Sequence, residues 1–224
     1  MNRFFWFSAI ALMLAACGDD DNSVAPSAES SSSVKSSSSV KYRSSKSSSS
    51  SVTIGSMTDS RDGQTYKTVV INNQVWMAEN FKYESEYYSC YSNNDSLCFK
   101  FGGLYTWRGA KTDCPEGWHL PDKDEFRWMI GKAGGQTMAG KMLKSKDGWN
   151  DDGNGSDTYG FSVLPAGYME VTGGFRLLGR TACFWTSTQY DDNYAYYIEF
   201  DKSDGAKMSI REIKMSCSVR CVKD

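Results

Sequence analysis

The sequence predicts an α+β domain of short antiparallel strands and two helices, stapled by disulfides and carried behind a disordered serine-rich N-terminal linker. Three observations point there. The stretch Asp113–Gly135 contains a helix with a legible start and stop, the residues around it break into short β-rich runs closed by explicit turns, and six cysteines lie in the part of the chain that can fold.

The helix is the strongest local signal. Asp122 can accept from the first free amides of a helix while Glu125 reaches back, and Pro121 fixes the entry. Phe126, Met129, Ile130 and Ala133 then fall on one apolar face, and Gly134-Gly135 supply a left-handed stop. Trp118 and Trp128 add large apolar area nearby, and Cys114 is placed to tie the helix start to another element.

Ahead of this domain the composition changes twice. Arg3, the almost wholly apolar run Phe4–Leu14 and the small residues Ala15-Ala16 have the layout of a signal peptide over residues 1–16, too short to span a bilayer. Leu14-Ala15-Ala16-Cys17 looks like the lipobox of bacterial lipoproteins, which makes Cys17 the expected lipid attachment site. The following Asp19, Asp20 and Asp21 are similar to surface-export signals, so the expected location is the cell envelope, on the outer membrane, with surface exposure favoured over the periplasmic side. From Ser30 to Ser51, 15 of 22 residues are serine, so nothing there can form a core; residues 17–58 are expected to be a lipid-anchored tether reaching roughly 35 Å.

The folded part is expected over 59–224 as one domain of 166 residues with a net charge of −3 and no basic stripe. Nucleic acid is therefore not an expected partner. Asp62-Gly63 makes a turn, Thr65–Ile71 and Gln74–Met77 form a hairpin across Asn72-Asn73, and a second helix runs from about Gln136 to Ser145. Strands follow at Ala182–Thr188, Tyr194–Phe200, Ala206–Ile210 and Ser218–Val222, with Asp204-Gly205 turning the middle pair. The Gly, Asp and Asn-rich stretch from Lys146 to Gly160 is long enough to be a functional loop.

The six cysteines of an exported domain predict up to three bridges. Zinc fails on spacing, because there is no C-x-x-C pair and His119 is the one histidine. Cys90 and Cys98 flank a polar turn and can close a local hairpin. Cys217 and Cys221, four apart on a strand, lie about 13 Å apart, beyond the roughly 7 Å that a bridge allows. Two arrangements remain: Cys114 with Cys221 and Cys183 with Cys217, or the crossed one.

The runs DSRDGQTYKTVVINNQVWMAENFKY, FGGLYTW, CPEGWHLPDKDEF, DTYGFSVLPAGY, FWTST and SVRCVKD, in this order, resemble the Fibrobacter succinogenes major paralogous domain across essentially all of 59–224. That family is similar to the C-type-lectin-like fold shared with formylglycine-generating enzymes, in which a Leu-Pro-x-x-x-Glu pattern precedes the helix, here Leu120 to Glu125. The resemblance implies a C-type-lectin-like domain. It also implies the pairings Cys114 with Cys221 and Cys183 with Cys217, since in that fold a long bridge joins the first helix to the last strand and a second staples the late strands.

Candidate sites divide between binding and catalysis. Trp149-Asn150-Asp151 spells the triplet with which lectins hold calcium and sugar, although it precedes the late strands, and Asp151, Asp152, Asn154 and Asp157 crowd oxygen ligands into one loop. With Tyr168, these residues are the candidate ligand-binding set; calcium is the one cofactor the chain could use, and solvated loop acids are the competing explanation. Gly135–Met142 matches G-x-x-x-x-G-K but has methionine where magnesium needs a hydroxyl, so it reads as a glycine break between two helices. For catalysis, His119 has no partner assignable from sequence, acidic pairs such as Asp191-Asp192 have nothing to face, and resemblance to formylglycine-generating enzymes raises a redox role for Cys217 and Cys221. The expected function is a tethered binding or adhesion module for carbohydrate or an envelope partner, since surplus aromatics can stack on sugar rings. An extracytoplasmic enzyme and a purely structural envelope protein are the alternatives.

Overall fold

Local signals and long-range pairing divide this fold between them. The structure, a computed structural model, describes residues 52–224; the expected signal peptide, Cys17 and the whole serine tract lie outside the described residues. In chain order the elements are β1 (Ile54–Thr58), β2 (Thr65–Ile71), β3 (Gln74–Met77), β4 (Tyr88–Ser89), a 3-10 turn (Tyr91–Asn93), α1 (Asp95–Phe101), β5 (Leu104–Thr106) and α2 (Trp107–Thr112). They continue as β6 (Trp118–His119), α3 (Lys123–Lys132), α4 (Ala139–Leu143), β7 (Tyr168–Met169), β8 (Phe175–Arg176), β9 (Ala182–Gln189), β10 (Tyr194–Phe200), β11 (Lys207–Glu212), β12 (Ser216–Cys217) and β13 (Val222–Lys223). The result is a sheet-rich α+β fold with four short helices and three disulfides.

Local chemistry accounts for the best-defined pieces. At the start of α3 the Asp122 carboxylate accepts from the Asp124 and Glu125 amides, each at 2.8 Å, and the Glu125 carboxylate accepts from the Asp122 amide at 2.8 Å. This reciprocal cap satisfies donors that a helix start leaves free. Phe126, Met129 and Ile130 are buried as the spacing predicts, whereas Trp128 points outward. Asn72 and Asn73 both take positive φ and close the β2–β3 hairpin.

Three sheets follow, in the orders β1-β2-β3-β13-β6, β4-β5-β12-β7-β8 and β11-β10-β9. Successive residues of a strand face opposite ways, and β9 is buried on both faces. Phe184 therefore joins one core with Trp76, Phe126, Leu143 and Phe161, while Trp185 joins another with Tyr66, Phe81, Tyr105 and Trp107. The second core contains Cys183, Cys217 and Cys221.

Several expectations are corrected here. Ordered strand begins at Ile54, inside the stretch assigned to the tether: β1 pairs along β2 from Ile54↔Val69 to Thr58↔Thr65. Its side chains are almost all exposed, so no apolar alternation marked it. Cys90 and Cys98 do pair, but they enclose a 3-10 turn and the first turn of α1, not a hairpin loop; the Asn94 side chain caps α1 by accepting from the Ser96 amide. The second predicted helix is only Ala139–Leu143. The predicted strand Ser218–Val222 is a crossover, with β12 in one sheet and β13 in another. The implied bridges, by contrast, are borne out: Cys217 and Cys221 take different partners, Cys183 at a Cα separation of 5.3 Å and Cys114 at 5.9 Å.

Residues 218–221 are fully buried, and β3, the segment after it and β9 share their backbone hydrogen bonds. The Phe81 amide donates to the Val219 carbonyl at 2.9 Å, the Met77 amide to the Cys221 carbonyl at 3.0 Å, and the Ser218 amide to the Cys183 carbonyl at 2.9 Å. Within this crossover Arg220 is 1 % exposed. Its Nε donates to Asn80 Oδ1 at 2.8 Å, its Nη2 to the Ser162 carbonyl at 2.8 Å and its Nη1 to the Phe161 carbonyl, and the guanidinium lies 4.3 Å from the Phe161 ring centroid. Burial pushes its pKa down to about 9 against the opposing pull of Asp157 and Glu79, which still leaves it charged at neutral pH.

Replacing Arg220 with methionine keeps volume but strips donors from three buried acceptors, so Arg220→Met is expected to destabilise the fold by about 3 kcal/mol. Urea unfolding followed by tryptophan fluorescence measures this; a midpoint equal to wild type would show that the guanidinium does not organise the crossover.

Candidate ligand-binding cleft

The predicted binding residues do not form one site. Trp149 is 5 % exposed and sits in the first core, where its Nε1 donates to Ser145 Oγ and the Val163 carbonyl, both at 3.1 Å. Its ring is thus unavailable to stack on a sugar, which corrects the lectin-like reading of the triplet. Asn154 accepts from the Trp149 amide and Asp157 from the Ser162 amide, so both side chains shape the loop itself. Asp151 pairs with Arg180, and Asp152 is exposed. Among the described residues no three acidic, histidine or cysteine side chains are grouped to hold a metal ion. Tyr168 packs against the second core with the Arg211 guanidinium 4.1 Å from its ring centroid, so one face is covered and it shares no platform with Trp149.

The catalytic candidates are placed as follows. All six cysteines of the described residues are in disulfides, which leaves no thiol there for the redox role raised for Cys217 and Cys221. At the glycine break, the Lys141 amide donates to the Asp204 carbonyl and a side chain on Gly140 would collide with Gly205, so the β10–β11 turn fills the space a phosphate would need. His119 does have partners. Pairing of β6 with β13 brings Asp224 alongside, and Nδ1 lies 2.6 Å from Asp224 Oδ1 while Nε2 lies 3.1 Å from both Glu125 oxygens. Burial pulls the imidazole pKa down, but the two carboxylates outweigh it and hold it above the ordinary value.

The arrangement best suited to a ligand lies elsewhere. A cleft of about 750 Å³ is lined by Tyr87, Thr106, Trp107, Arg108, Lys111, Thr112, Ile213 and Lys214. It is more than twice the size of the hollows beside Val69 and Phe99, about 300 and 340 Å³, and falls in the usual range of ligand sites. Its lining is mainly apolar with a cationic rim.

Each wall has a structural cause. Pairing of β12 with β5 sets Ser216 opposite Thr106, and the Trp107 amide donates to the Ile213 carbonyl at 3.2 Å, which holds the turn after β11 against the start of α2. The Trp107 indole donates to the Thr186 carbonyl at 2.8 Å and forms the buried floor. Gly109 lets Tyr87 pack on α2, because a Cβ there would collide with Tyr87 Cβ. Lys111, one helical turn after Trp107, carries its ammonium 4.6 Å from that ring, and the Arg108 guanidinium lies 5.4 Å from the Tyr87 ring centroid. Sequence reading missed this set. The only local signal is Trp-Arg-x-x-Lys at Trp107 to Lys111; Ile213 and Lys214 arrive from about a hundred residues away, through strand pairing.

A family model described as the Fibrobacter succinogenes major domain matches residues 69–223. No curated protein and no solved structure matches the chain.

His119 gives a pH prediction. A histidine whose folded pKa is raised stabilises fully below its unfolded value of 6.5, and that contribution is lost as pH rises through the folded pKa. The side chain is 44 % exposed, so the expected effect is below about 1 kcal/mol. The stability difference between wild type and His119→Gln should shrink between about pH 5.5 and 8; a difference constant across that window would refute the assignment.

Proposed function

The chain belongs to the Fibrobacter succinogenes major domain family, and from that premise we propose that it is a cell-envelope binding module whose cleft beside α2 takes a carbohydrate. The observation that carries this reading is the cleft: a volume fit for a few sugar rings, a part-exposed aromatic wall at Tyr87 and exposed cationic side chains at Arg108, Lys111 and Lys214, closed beneath by buried Trp107. Sugar rings present C–H faces that pack on aromatics while their hydroxyls meet a polar edge.

The wider setting is part of the proposal. The Leu14–Cys17 lipobox and the serine-rich stretch behind it suit a lipoprotein held at the outer membrane by Cys17, with its domain projected outward on a tether. A C-type-lectin-like assignment of the domain is supported by the Leu120–Glu125 approach to α3 and by the Cys114–Cys221 and Cys183–Cys217 bridges. Binding is preferred to catalysis because His119 contacts two carboxylates and no nucleophile.

Two measurements test the proposal. The purified full chain, offered a panel of plant and bacterial polysaccharides, should bind at least one saturably, and Tyr87→Ala should weaken that binding about tenfold, or ~1.4 kcal/mol. Failure to bind any glycan would move the weight to a protein partner in the envelope. Cys17→Ser should shift the protein from the membrane to the soluble fraction, and unchanged membrane association would refute the anchor.

A further inference from the structure

We infer that the cleft beside α2 selects an acidic carbohydrate, a polymer of uronic acid, over a neutral one; this rests on the carbohydrate reading of the same cleft. The observation is where unspent positive charge sits in an otherwise acidic domain. The folded part carries a net charge of −3, yet Arg108, Lys111 and Lys214 meet at one opening.

Among them Arg108 differs from the other arginines of the described residues. Among the described residues Arg61, Arg127, Arg176, Arg180 and Arg211 each form an ion pair and Arg220 is buried on neutral acceptors. Arg108 is the one exposed arginine there without a carboxylate, and neither Lys111 nor Lys214 is in an ion pair. The acids close by are already engaged. Glu86 lies beside the Tyr87 hydroxyl and raises its pKa, and buried Asp113 accepts from Ser85 Oγ at 2.6 Å and Thr112 Oγ1 at 3.0 Å.

An apolar floor under a cationic rim suits a ligand that is both ring and anion. A bare inorganic anion would leave Tyr87 and Ile213 uncovered, and a neutral glycan would leave Arg108 without a carboxylate. A uronate residue satisfies both demands, setting a C–H face on the aromatic wall and a carboxylate within the planar reach of Arg108, where a bidentate pair is favoured.

The test uses the full chain with four probes: polygalacturonate, the same polymer fully methyl-esterified, a neutral β-glucan and dextran sulfate. Polygalacturonate should bind at least about tenfold tighter than its ester and weaken as salt shortens the reach of the rim charges. Arg108→Gln with Lys111→Gln, and separately Lys214→Gln on the opposite wall, should each remove most of that preference, while Lys132→Gln at the end of α3 should leave it intact; thermal melts confirm folding of each variant. Equal binding of acid and ester would overturn the acidic selection and leave the carbohydrate reading standing, whereas binding to none of the four would count against both. Undiminished acid binding by the rim variants would remove the cleft as its site. Dextran sulfate binding as tightly as polygalacturonate would reduce the specificity to any polyanion and overturn the uronate assignment.

Discussion

The constraint on which the rest of this fold depends is a buried positive charge with no carboxylate in contact. A guanidinium enclosed at Arg220 must spend its donors on neutral oxygens, and these oxygens belong to Asn80, Phe161 and Ser162. Asn80 in turn donates to the Phe101 carbonyl at 2.8 Å, which draws the end of α1 into the same network. Segments distant in sequence are thereby held at one point. The arginine sits on a crossover that links two sheets, so the network and the sheet topology fix each other. The two long-range bridges end on either side of the same crossover, at Cys217 and Cys221.

From that point the cleft follows. Sheet pairing at β12 brings the chain back beside β5, and α2 continues directly from β5 at Thr106. The turn before β12 must then lie against the first residue of α2, as the hydrogen bond from the Trp107 amide to Ile213 requires. Lys214 is carried to the rim by this geometry, not by any local preference. The residues that line the cleft ride on rigid elements whose placement is set by the core, a good arrangement for a preformed site.

How much was legible depended on the range of the cause. The α3 cap, its apolar face and the Asn72-Asn73 turn are local chemistry, and each was readable. Residues β2, β3 and β10 emerged with the predicted bounds because β-branched and aromatic runs ended in clear turns. Helices α1 and α2 span seven and six residues, too few for an apolar period, and both went unread. Trp149 misled because a short triplet mimicked a ligand motif, whereas the indole was fully used by Ser145 and Val163. Arg220 carries no local signal in the sequence; only tertiary structure explains why an arginine stands in the SVRC stretch on which the resemblance partly rests.

The edge position of β1 has a mechanical consequence. Its N-terminal residue Ile54 pairs with Val69 at the open end of a hairpin whose closed end is the Asp59–Gln64 turn. Tension entering the domain from its N-terminal side meets those pairs in series and breaks them one at a time, the weak loading direction for a strand. Beyond β1 the load meets β2, whose Val69 and Ile71 are packed in one core and Tyr66 in the other, so buried side chains resist what the exposed strand does not. A pull on the N-terminal side would release a few exposed strand residues first, like a fuse, while the cleft and both cores stay whole.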